Sequence, residues 1–292
     1  MTIRIMIDIF SGRPNPVIEF KGNEAKEVLR RLKPARRLSR DEQVPPPPST
    51  LGYRGMIVEQ VGSPVKGLPK TFRLTHGDLW GPQLMHRAED EEFEQFLFSK
   101  KNLLKDLKLG GKFPEFLRQE IDRSRKMRAD FDDRHEEWHE RHSCECAPLY
   151  EPTWWNDNGQ KQWNNNCYNY ATNYRTDTFA QPGLAAGAMY SALTCAAVRP
   201  AAESDDLISS PGAKNRCPKE GHLVALVIAP GWDFHWYRRG RNGFWTHKPG
   251  GTPVTNVDNS GVTIPDPRTA NRGPYTDFCT FMVVMHGHIK IE

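Results

Sequence analysis

Between Leu223 and Lys248 the sequence leaves little freedom of fold. Leu223-Val224-Ala225-Leu226-Val227-Ile228 is a near-continuous apolar run, the pattern of a central strand. Pro230-Gly231 turns the chain, and Phe234-His235-Trp236-Tyr237-Arg238 reads as a second strand. Asn242-Gly243 is a hairpin signal leading into a third strand, Phe244-Trp245-Thr246-His247-Lys248, stopped by Pro249-Gly250-Gly251. Short turns join antiparallel neighbours, because a parallel return needs a crossover of a dozen or more residues. A hairpin centred on Arg241 sets His235 directly opposite His247 on one face. Their Cβ atoms then lie ~5 Å apart, close enough for the imidazoles to share a hydrogen bond.

Upstream of these strands stands Asn164-Asn165-Asn166-Cys167-Tyr168-Asn169-Tyr170-Ala171. Three amides precede a lone cysteine, and Tyr168 to Tyr174 reads as a helix. Asn is a good N-cap, since its side-chain oxygen takes a free N–H of the first turn. A thiol in that turn feels the positive end of the helix dipole, which favours the thiolate. The competing reading is a buried structural cysteine on an amphipathic helix. Gln162, Asn164 and Asn165 are candidates for an oxyanion donor, Gln162 first, or else they only cap the helix. Trp154, Trp155, Trp163, Trp236 and Trp245 suit core and groove walls.

The remaining sequence divides by composition. Residues 1–110 read as a small α+β domain: a strand from Thr2 to Phe10, a Ser11-Gly12-Arg13-Pro14-Asn15-Pro16 loop, a strand from Val17 to Phe20 and a helix from Glu24 to Leu32 capped by Asn23. The loop could offer backbone N–H groups and Arg13 to an anion, although a turn kept for its geometry is the plainer reading. Pro45-Pro46-Pro47-Pro48 reads as an exposed polyproline spacer. Residues 111–145 read as a charged helical linker. It carries His135-Glu136-Glu137-Trp138-His139, the zinc-peptidase spacing, with His142 one turn on. Its flanks, Asp132, Asp133, Arg134, Glu140 and Arg141, argue instead for a solvated helix. Residues 146–292 form the third segment, with Asp258 and a last apolar strand from Phe278 to Met285.

A helix-borne cysteine followed by strands bearing His235 and, twelve residues on, His247 resembles the papain-like thiol hydrolases, in particular the NlpC/P60 branch. More closely, the NCYNYA, QPG, DFHWYR and WTHKPG runs resemble those of a family of bacterial proteins. The resemblance covers roughly residues 160–285. It implies a papain-like domain with an antiparallel sheet, which after the N-terminal domain and the charged helix read above makes an α+β chain. It also implies a cysteine-dependent peptidase or amidase. Cys167 is the nucleophile, His235 the general base and acid, and His247, with Asp258 as the alternative or supporting carboxylate, the orienting group. A second register makes His222 the base and His235 the orienter.

This reading expects no cofactor and a peptide, protein or cell-wall-type amide as substrate. Its rivals are a binding or structural module on the same fold, and a zinc hydrolase built on His135 and His139. A net charge of +4 gives no nucleic-acid footprint, so no nucleic-acid partner is expected. No stretch reaches the ~20 apolar residues of a membrane span. A protein partner for the N-terminal domain is left open. Six cysteines without an export signal read as mostly reduced thiols, hence a cytoplasmic setting, with delivery by a signal-independent route left open.

Overall fold

The computed structural model describes residues 1–39, 49–81, 84–100, 104, 107–129, 144–209 and 215–292. Contacts divide the chain into two compact units. The first holds Met1–Ile9, Asn15–Pro47 and Tyr53–Ala129; the second holds Phe10–Pro14, Pro48–Gly52 and Asp130–Glu292. This differs from the expected division at residues 110 and 145, because two short N-terminal segments pack with the C-terminal half.

The first unit contains β1 (Thr2–Ile7), β2 (Val17–Lys21), α1 (Gly22–Arg31), β3 (Pro34–Arg37), β4 (Met56–Val61), β5 (Thr71–Thr75), β6 (Asp78–Gly81), β7 (Leu84–Ala88), α2 (Phe93–Ser99) and α3 (Phe113–Ala129). Its strands form one antiparallel sheet in the order β2-β1-β4-β5-β6-β7-β3. Alternation decides the sheet's faces: Ile3, Ile5 and Ile7 of β1 are buried, as are Ile18 and Phe20 of β2. Helix α1 buries Ala25, Val28 and Leu29, the expected stripe, but begins without an Asn23 cap. The basic run after it is an edge strand, β3, with proline at its first position, where a missing N–H costs least. Phe113, Leu117 and Ile121 of α3 repeat every four residues and are buried. The start of the expected linker is therefore core. Residues 130–143 of that segment, with His135, His139 and His142, lie outside the described residues, as do Pro45, Pro46, Pro47 and Pro48.

The second unit contains α4 (Pro152–Trp155), α5 (Gln160–Asn164), α6 (Cys167–Thr172), α7 (Cys195–Ser204), β8 (Ile208–Ser209), β9 (His222–Ala229), β10 (Asp233–Arg239), β11 (Trp245–His247) and β12 (Asp277–Val284). Its antiparallel sheet runs β11-β10-β9-β12-β8. Every residue of β9 is buried, which explains its unbroken apolar sequence. Val224, Leu226 and Ile228 pack with Cys167, Tyr168, Ala171, Val198 and Ala202 of the two helices. Leu223, Ala225 and Val227 pack on the opposite side with Tyr237, Trp245, Ile264 and Tyr275. The α+β class is thus observed, with antiparallel sheets in both units and, among the described residues, no helix long and apolar enough to cross a membrane.

The expectation of reduced cysteines is corrected. Cys144 bonds Cys217 and Cys195 bonds Cys279. The paired cysteines stand 73 and 84 residues apart, so their spacing carried no hint of contact in space. Cys146 is a free exposed thiol and Cys167 a free buried one.

Candidate active site

The site forms where β10 runs beyond its outer neighbour. Strand β11 pairs only with Tyr237, Arg238 and Arg239, which leaves the start of β10 with an open edge. His247 stands opposite Tyr237 and is therefore diagonal to His235, not directly opposed as the hairpin centred on Arg241 implied. The turn centre has moved by one residue, which preserves the shared face. His235 Nε2 and His247 Nδ1 are 2.9 Å apart, and both rings are fully buried.

Asn166 caps the cysteine helix. Its side-chain oxygen accepts from the N–H groups of Tyr168 and Asn169, while Asn169 Oδ1 accepts from the Asn166 N–H. This reciprocal pair places Cys167 at the first helical position, one residue before the expected start at Tyr168. Lys248 secures the approach to that helix: its fully buried Nζ donates to the carbonyls of Gln162, Asn165 and Gly250 at 2.5–2.6 Å.

The open edge of β10 is covered by Ser11, Gly12 and Arg13 of the same unit. Ser11 Oγ lies 3.2 Å from the Phe234 carbonyl and 2.9 Å from His235 Nδ1. The side chain of buried Asp233 accepts from the N–H groups of Ser11 (2.5 Å), Gly12 (3.1 Å) and Arg13 (3.0 Å), and from the Tyr275 hydroxyl (2.5 Å). The loop's backbone N–H groups do meet an anion, and that anion is internal. The Gly12 carbonyl accepts from Asn166 Nδ2 (2.7 Å) and Gln181 Nε2 (2.8 Å).

Proton bookkeeping fixes the tautomers. His247 Nε2 lies 3.0 Å from the Val257 carbonyl, which can only accept, so the proton is on Nε2 and Nδ1 carries a lone pair. His235 must then donate from Nε2, which leaves its Nδ1 as the acceptor facing Ser11. The file Ser11–His235–His247–Val257 has the polarity of a base oriented by a second imidazole.

The thiol is not activated in this arrangement. Burial, and then the Asp233 carboxylate, push Cys167 well above the ordinary thiol range; the Trp236 N–H, the Ser11 hydroxyl and Lys248 oppose this and lose. The expected lowering by the helix dipole is therefore corrected: α6 is one and a half turns long, and desolvation outweighs its field. Burial likewise raises Asp233 and lowers His247, the latter to about 4.

Three expected roles are corrected. Asp258 does not meet His247. Its carboxylate accepts from the N–H groups of Ser260, Val262 and Asn271 in a turn, and the Val257 carbonyl orients the imidazole instead. His222 is no loop-edge base: it starts β9, is fully buried, and its Nε2 is 2.7 Å from the Ala171 carbonyl, with burial lowering it to about 3. Gln162 Oε1 accepts from the Asn158 N–H, and the amides that converge on a carbonyl are those of Asn166 and Gln181. Ser11, Asp233 and Tyr275 were not singled out for this site, and no spacing signal could have joined them, since Ser11 and Asp233 stand 222 residues apart. The QPG run containing Gln181 was the one available hint.

No protein-family model matches the chain, and no solved structure matches it. Among curated proteins it matches insoluble matrix shell protein 1 of Ruditapes philippinarum, with 46% identity over 142 residues. That alignment spans 48% of this chain and 91% of the relative. The chain belongs to the family of this shell matrix protein. Membership in the shell matrix family corrects the cytoplasmic expectation, since the relative carries the name of an insoluble shell matrix component. The two disulfides point the same way, because such bonds persist in oxidising compartments.

Proposed function

We propose that the second unit is a papain-like, NlpC/P60-like thiol module, a cysteine-dependent amidase or peptidase of an extracellular matrix, held closed by its own Phe10–Pro14 loop. The observation that carries this reading is the oriented imidazole pair, His235 Nε2 to His247 Nδ1 at 2.9 Å, at the strand edge that Cys167 also reaches. With the loop withdrawn, His235 Nδ1 takes the Cys167 proton and the sulfur bonds to an amide carbonyl carbon. His235 returns that proton to the departing amine as the C–N bond breaks. Water then cleaves the thioester, with His235 accepting and returning its proton. The orienting group is His247 backed by the Val257 carbonyl. Asn166 and Gln181, already two donors at one carbonyl, are placed to hold the oxyanion.

A second reading, a non-catalytic matrix module on the same fold, is favoured by the complete burial of Cys167 and by the relative's name. Iodoacetamide labelling against pH separates the two. In the native protein exposed Cys146 reacts and Cys167 does not, under either reading. In a full-length Gly12→Val chain, where a Cβ meets Phe234, the thiol module predicts rapid alkylation of Cys167 that His235→Ala suppresses. A Cys167 that stays inert, or reacts independently of His235, leaves the structural module.

A further inference from the structure

The loop is held as a ligand is held: its backbone is gripped at successive groups, Ser11 Oγ and Arg13 Nη1 add side-chain bonds, and a wall excludes a side chain at Gly12. Asp233 takes three successive N–H groups, from Ser11, Gly12 and Arg13. Asn166 and Gln181 both donate to the one carbonyl of Gly12. These contacts read backbone and tolerate many sequences. Selectivity comes from Phe234: a Cβ built on Gly12 would stand 2.5 Å from its ring atoms Cδ2 and Cε2 and from its carbonyl oxygen. No left-handed backbone imposes glycine here, since Gly12 is absent from the positive-φ glycines. The residue is glycine because the wall is close.

We infer that Asn166, Gln181, Asp233 and Phe234 form a peptide-binding cradle selective for glycine at the residue whose carbonyl is gripped, with Ser11-Gly12-Arg13 as its resident occupant. The inference deepens the thiol-module reading by naming its ligand class, a bent peptide with glycine on the acyl side and a free backbone N–H on the next residue. Binding is separable from thiol chemistry. The Asp233 carboxylate needs that following N–H, so proline directly after the glycine is excluded.

The test uses the full-length Gly12→Val chain, with its disulfides intact and its fold checked by near-ultraviolet circular dichroism. Calorimetry is run with acetylated, amidated Phe-Ser-Gly-Arg-Pro and with the same peptide carrying valine for glycine. The expected result is at least tenfold tighter binding of the glycine peptide, with a further Gln181→Leu substitution weakening it at least fivefold. Equal binding of the two peptides, or no binding to a folded variant, overturns the inference. If the variant does not fold, amide exchange in the wild-type protein decides: a resident ligand opens locally, so the Ser11, Gly12 and Arg13 amides exchange well before those of β9. Exchange only at the rate of β9 overturns it. Glycine-selective binding with an inert Cys167 sinks the thiol reading and leaves the cradle standing.

Discussion

Lys248 shows what one residue carries in this fold. Its ammonium is wholly removed from water and takes the carbonyls of Gln162, Asn165 and Gly250 in exchange. A buried cation tolerates this only when its donors are filled. Replacing Lys248 with Met keeps the apolar stem and strands those carbonyls. The expected loss is about 2–4 kcal/mol, read as a fall in the urea midpoint; an unchanged midpoint would mean that water replaces the ammonium without cost. The sequence marked Lys248 only as the last residue of a strand. Cys167, His235 and His247 were legible because helix caps, strand runs and hairpin signals are local. Asp258 was misread for the same reason: it lies near His247 in the chain, yet its side chain closes a turn on Ser260, Val262 and Asn271. Ser11, Asp233 and Tyr275 needed the fold itself to bring them together.

Among the elements, the β10–β11 hairpin and helix α6 decide the site. The hairpin was legible as a hairpin, and the face shared by His235 and His247 survived because strand period is two and the partner of His247 moved by two, from His235 to Tyr237. The turn's detail was not legible: Gly243, in a left-handed conformation at φ 82°, sits in a loop longer than a two-residue turn. Helix α6 is too short to persist alone, so its cap carries unusual weight. Asn166 serves twice, accepting from two helix N–H groups and donating to the carbonyls of Gly12 and Ala180. Asn166→Ala is expected to cost roughly 2–4 kcal/mol, above the ~1 kcal/mol of an ordinary cap. Asn166→Asp, which keeps the cap acceptor and loses both donors, should restore only part of this. Guanidinium titrations of the three proteins check the order; equal stability of the Asp and Asn chains would remove the donor half of the argument.

For the molecule as a whole, acid and reductant are the informative stresses. Burial lowers His222 to about 3 and His247 to about 4, from an ordinary value of 6.5. Below pH 6.5 the unfolded chain binds protons at these rings and the folded chain does not. Stability is therefore full above about 6.5 and falls with pH down to about 4 and then 3, by on the order of 3 kcal/mol for His247 alone. Asp8, held near 2 because Arg54 and Arg73 outweigh its burial, adds a loss only below about 3.8. Thermal melts should therefore decline steadily from pH 7 to pH 5, above the carboxylate range; a flat profile there would show that the rings are not buried neutral. Reducing the bridges, which close 73 and 84 residues, should cost roughly 4 kcal/mol each in chain entropy, read as a lower Tm with reductant.

The placement of Ser11 has a consequence in time. Its loop leaves the ribosome well before its anchors Asp233, His235 and Tyr275, which emerge 222, 224 and 264 residues later. Contacts so far apart form only after the entropy of closing a very long loop has been overcome. The cradle must therefore stay empty while the chain is being made, and its closure is expected as a late phase in refolding. During that interval the bridging thiols of Cys144 and Cys195 and the nucleophile candidate Cys167 share one open chain with their partners still to come. Oxidation that outruns translation would trap Cys167 in a wrong bridge, so a Cys167→Ala chain should refold from the reduced state with fewer mispaired products than the parent.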